Sequence, residues 1–151
     1  MNAKKILSNI IGINIIGVFG IILVIVPPLL EQPYLKTSAE LDWGDSHYST
    51  LGTLSITIHN NHDSQVNFRL KIETDDNLTI KKDVHSEIQF SENECYVGPK
   101  ADWEENFFVY PVNRVDQKHW IQIRVENPAT LDIYNLENKE FGIGEHVDFF
   151  K

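Results

Sequence analysis

The chain has 151 residues, with 13 Lys+Arg against 22 Asp+Glu, a formal charge of −9 and a mean hydropathy of −0.25. These averages hide two unlike parts: no charge falls between Lys5 and Glu31, so Glu31–Lys151, with 11 basic and 22 acidic residues, carries −11. So acidic a surface repels phosphate backbones and excludes nucleic acid as a partner, and one cysteine excludes both a disulfide scaffold and a multi-Cys zinc site.

Ile6–Val26 is an uncharged run of 21 residues. At ~1.5 Å rise per residue, a helix of that length spans ~30 Å, the thickness of a hydrocarbon core. Pro27, Pro28 and Pro33 follow and end it. Lys4 and Lys5 precede the run and Glu31 follows, so the positive-inside rule keeps the N-terminus cytoplasmic and exports the remainder. The apolar run exceeds the ~7–15 residues of a cleaved signal peptide, and no small-x-small site lies close behind it, so the expectation is an uncleaved signal anchor in the lipid bilayer. Ser8, Gly12 and Gly20 recur in steps of four or eight with Asn9 beside them, a face on which a second membrane helix packs closely. Residues 1–30 are therefore read as cytoplasmic stub and anchor, 31–40 as a short linker and 41–151 as the exported domain.

Beyond the anchor the apolar period changes to two. Leu54, Ile56 and Ile58 alternate with polar residues, Asn60–Ser64 is turn chemistry, and Val66, Phe68, Leu70 and Ile72 alternate again. These two runs are expected to pair as an antiparallel hairpin. Leu78 with Ile80, and Ile88 with Phe90, mark short strands before a polar loop that includes Ser91–Glu94. An aromatic strand over Phe107–Val112 is broken by Pro111, and Ile121, Ile123 and Val125 form the clearest late strand. Leu131–Tyr134 and Val147–Phe150 supply the last one or two. Seven or eight short strands without helical periodicity between them predict an all-β, antiparallel β-sandwich behind one transmembrane helix.

Leu54–Thr74, LSITIHNNHDSQVNFRLKIET, resembles the central hairpin of immunoglobulin-like domains of the CARDB kind, which are common in bacterial and archaeal surface proteins. Phe107–Val112 and Trp120–Asn127 resemble the strands that close such a sandwich. The resemblance spans most of Gly52–Asn127 through short motifs, and the Cys…Trp…Cys spacing of antibody-type domains is absent. It implies a binding or spacing module and carries no catalytic residues.

The chemistry-bearing residues are sparse. His59-x-x-His62 with Asp63 adjacent is the nearest approach to a copper or zinc site, although polar residues of a solvated turn explain the same pattern. Asp42-x-x-Asp45-x-His47 is a weaker thread, and the acidic clusters at Asp75–Asn77, Glu92–Glu94 and Asp102–Asn106 lack EF-hand spacing. No nucleophile elbow or phosphate loop occurs, and Cys95 reads as a small buried hydrophobe, so neither an enzyme nor a cofactor is expected. Asn77-Leu78-Thr79 forms a glycosylation sequon. Trp103, Tyr110 and Trp120 are the aromatics placed for binding, Trp120 because it is out of phase with Ile121, Ile123 and Val125. The function these features point to is a membrane-anchored accessory or structural subunit that binds other membrane or surface proteins. The competing class is an extracytoplasmic metal-binding domain.

Overall fold

The computed structural model describes residues 34–44, 51–112 and 117–151. The helix expected over Ile6–Val26, with Ser8, Asn9, Gly12 and Gly20, lies outside them, as do Asp45 and His47. Among the described residues, no helix is long and apolar enough to cross a membrane.

Nine strands appear among the described residues: β1 Leu35–Asp42, β2 Gly52–Asn60, β3 Val66–Thr74, β4 Leu78–Lys81, β5 Glu92–Val97, β6 Asp102–Pro111, β7 His119–Glu126, β8 Ile133–Phe141 and β9 Val147–Phe149. They form two antiparallel sheets, a five-stranded one in the order β4-β6-β2-β1-β9 and a four-stranded one in the order β5-β3-β7-β8. Alternation explains the layers: β2 buries Leu54, Ile56 and Ile58, and β7 buries Ile121, Ile123 and Val125, while intervening residues face outward. Phe68, Phe107 and Phe141, all fully buried, fill the space between the sheets. Gly52 permits a close approach at one corner, since a Cβ there would lie 3.1 Å from both Leu41 Cδ1 and Trp43 Cε3.

The structure corrects several expectations. β1 begins at Leu35, inside the segment read as a linker. Its inward positions include Thr37 and Ala39, whose small or polar side chains blur the alternation. The β2 and β3 runs do not pair as a hairpin; each lies in a different sheet. At the turn between them sits Asn60, which is fully buried. Its amide nitrogen donates to Ser64 O and Gly98 O, both at 2.8 Å, and its Oδ1 accepts from the His62 N–H at 2.8 Å. These bonds arch the chain across the sandwich and fasten the arch to the β5–β6 loop.

Ile88 is 79% exposed and lies outside the strands, whereas Glu92–Glu94, read as loop, opens β5. As an edge strand, β5 buries only Val97, so it shows no alternation. β6 starts at Asp102 and carries Pro111 as its last residue, opposite Leu78, where the missing N–H interrupts no ladder. β8 extends well past the expected Leu131–Tyr134.

Candidate functional site

His59, His62 and Asp63 do not converge. His59, on the outer face of β2, places Nδ1 2.6 Å from Asp102 Oδ1 on the neighbouring β6. His62 instead stacks on Tyr34, with centroids 3.5 Å apart and planes at 2°, while Asp63 pairs with Lys100 at 3.4 Å. Each has a partner of its own, and Asp102, 43 residues from His59, had no sequence signal linking the two.

The three aromatics also divide. Trp103 packs edge-on to Phe68, with centroids 5.3 Å apart, and so belongs to the core margin. Tyr110 is half-buried beneath Lys81, whose Nζ lies 5.7 Å from the ring centroid. Trp120 does point away from the core, yet it is half-buried and its backbone N–H donates to Asp75 Oδ2 at 3.0 Å. Cys95 faces the core side, where burial raises its thiol pKa.

Of the exposed apolar side chains, three lie together in sequence on β8 and the loop before it. Leu131, Ile133 and Leu136 are 59%, 52% and 47% exposed. β8 is an edge strand whose apolar and polar sides are largely reversed. Opposite buried Val125, Ile123 and Ile121 of β7 stand Asn135, Glu137 and Lys139. These polar side chains face the open side of the sandwich. Asn135 Nδ2 donates to Leu35 O at 3.0 Å, and Glu137 accepts the Phe150 N–H and pairs with Lys139 at 2.7 Å. Inward-pointing charges of this kind blunt an edge against uncontrolled strand addition. Leu136, beside Arg124 on the outer face, therefore stands exposed for a different reason than core filling. Next to it, Arg69 bonds Glu94 at 2.6 Å and Glu126 at 3.3 Å, while Arg124 lies 3.9 Å from Glu126. A charged ladder thus borders the apolar strip. The sequence marked a strand over Leu131–Tyr134 but not that its apolar residues face outward, because Leu131, Ile133 and Leu136 are scattered among Asp, Asn and Glu.

A second cluster lies at the opposite sheet's edge. Glu40 on β1 is directly opposite Asp148 on β9, and His146 precedes Asp148 by two residues. Among the described residues, these three bring one ligand atom each within 4.8 Å of one another. His146 Nε2 lies 3.4 Å from Asp148 Oδ1, and Lys151 Nζ contacts the other Asp148 oxygen. Lys151, chiefly, holds the Asp148 carboxyl below its ordinary pKa, with His146 adding to the effect.

The strand order and pairing define a two-sheet antiparallel β-sandwich. A solved structure shares that architecture at 11% identity: the crystal structure of a FixG-related protein from Vibrio parahaemolyticus, with a TM-score of 0.51, covering 74% of this chain and 97% of that one. A likeness at this identity concerns the fold. No family model matches the chain, and no curated protein matches it.

Proposed function

We propose that the chain is a single-pass membrane protein without enzymatic activity. In this reading Ile6–Val26 anchors it with the N-terminus in the cytoplasm, and Pro33–Lys151 stands outside as an immunoglobulin-like interaction module of the CARDB kind. It serves as an accessory or structural subunit of a membrane or cell-surface complex. The order β4-β6-β2-β1 against β5-β3-β7-β8, with the β2–β3 crossing between sheets, supports the immunoglobulin-like assignment.

The observation that carries the interaction role is the apolar strip of Leu131, Ile133 and Leu136 on an edge strand whose inward side is polar. Exposed apolar groups grouped beside a charged ladder are the anatomy of a docking surface, with an apolar centre and a polar rim. The sandwich gains nothing from their exposure, so replacing them leaves its stability within ~0.5 kcal/mol. An anchor residue in a partner interface, by contrast, contributes ~2 kcal/mol or more.

The test is purification of the full chain from its own membranes in mild detergent. The wild-type chain is expected to bring a stoichiometric membrane partner with it. Ile133→Gln combined with Leu136→Gln is expected to reduce that yield at least tenfold without moving the thermal midpoint. Retention of the partner by the double variant removes β8 as the docking edge, and a wild-type chain that runs alone defeats the proposal. Orientation is checked separately by protease added to intact cells. The domain ending at Lys151 is expected to be digested, and its full protection would reverse the assigned topology.

A further inference from the structure

We propose that Glu40, His146 and Asp148 form a binding site for a first-row divalent metal ion, with zinc as the natural probe, on the outer face of the five-stranded sheet. Backbone register builds the site. Glu40 and Asp148 are cross-strand partners on β1 and β9, so both carboxylates leave the sheet on the same side. Two like charges directly opposite each other destabilise a strand pair, and a cation between them reverses the sign of that interaction. His146 stands just ahead of β9, and its Nε2 reaches to 3.4 Å from Asp148 Oδ1.

The distances suit the chemistry. Ligand atoms bound ~2.0–2.2 Å from a tetrahedral zinc lie roughly 3.3–3.6 Å from one another. His146 Nε2 and Asp148 Oδ1, at 3.4 Å, already span one such edge. Glu40 lies within the 4.8 Å that encloses all three ligand atoms, and as an exposed side chain it closes the remaining gap by rotating. Lys151 occupies the other Asp148 oxygen, so it orients the ligating carboxylate from outside without blocking it. One imidazole and two carboxylates favour zinc or another first-row ion over calcium or magnesium, which take oxygen ligands only. Three protein ligands leave the fourth position to water or to a side chain from a partner. Bound metal joins the short edge strand β9 to β1.

The experiment titrates ZnCl2 into the full-length, EDTA-stripped chain in detergent, followed by calorimetry and elemental analysis. One zinc per chain is expected, together with a rise in thermal midpoint. His146→Ala and Glu40→Gln are each expected to weaken binding at least tenfold; the metal-free midpoint stays in place in His146→Ala and rises slightly in Glu40→Gln, which removes the repulsion between β1 and β9. The paired change His59→Ala with His62→Ala is expected to bind as wild type. Absence of zinc uptake overturns the site. So does uptake unaltered in both single variants, uptake abolished only by the His59/His62 pair, or calcium binding of equal strength.

Discussion

Asn60→Ala is expected to destabilise the sandwich by about 3 kcal/mol, seen as a fall of roughly 10 °C in the thermal midpoint. The fully buried amide donates at 2.8 Å to Ser64 O and Gly98 O and accepts at 2.8 Å from the His62 N–H. Alanine leaves all three backbone groups short of a partner where water is scarce, and each costs about 1–3 kcal/mol less whatever relaxation recovers. Asn60→Asp separates hydrogen bonding from size. At neutral pH its carboxylate turns acceptor oxygens toward two carbonyls, so this variant is expected to be less stable than Asn60→Ala. Folding then favours the protonated acid and raises its pKa above the unfolded value. The stability recovered is therefore present below the unfolded pKa and lost as pH rises through the folded one. Urea unfolding at pH 7 and at pH 4 checks the sign: the deficit of Asn60→Asp narrows at the lower pH and that of Asn60→Ala does not. A loss under about 0.5 kcal/mol in Asn60→Ala would show that the arch does not depend on this side chain.

Asp75→Ala is expected to cost about 2–3 kcal/mol, because Asp75 performs the same task at the next crossing, from β3 to β4. Its Oδ1 accepts the Asn77 N–H at 2.8 Å and its Oδ2 the Trp120 backbone N–H at 3.0 Å. His119 Nδ1, on a fully buried ring, lies 3.2 Å from both oxygens. Burial pushes the Asp75 pKa up, but the Trp120, Asn77 and His119 donors together outweigh it and hold the carboxyl below its ordinary value. The sign follows from that depression. Stabilisation from ionised Asp75 is complete above the unfolded carboxylate pKa of about 3.9 and is lost as pH falls through the lower folded value. Asp75→Asn keeps one acceptor oxygen, so it is expected to lose about half as much stability as Asp75→Ala and to flatten the acid limb of the stability curve. Equal losses in both variants, with the acid limb unchanged, would remove the carboxylate from this role.

Asn60 and Asp75 are related in kind. Asn60 ends an alternating strand and Asp75 follows one, both look like ordinary turn residues, and both use a short polar side chain where the chain leaves one sheet for the other. Asn127 binds its own turn within one sheet, in the β7–β8 loop, accepting from Ala129 N at 2.9 Å and donating to Tyr134 Oη at 3.1 Å. Crossing points expose backbone groups that no ladder satisfies, and Asn and Asp meet that need locally.

From its residues alone, this protein declares a chargeless segment long enough to span a bilayer, a domain of charge −11 and strands wherever one face meets the core. β2, β3 and β7 were legible because each is interior to a sheet and alternates along most of its length. β8 was legible only at its start, Ile133–Tyr134, since its inner positions Asn135, Glu137 and Lys139 are polar. Periodicity reports which side of a strand is buried, but carries no information about which strand lies beside it. Only tertiary structure could therefore separate β2 from β3 and bring the Asn60 side chain to its partners on the β5–β6 side. The same limit hid the cluster of Glu40, His146 and Asp148, whose members stand near opposite ends of the domain's sequence until β9 pairs with β1. Local chemistry sets the pattern of each strand, whereas sites are made by register between strands distant in sequence.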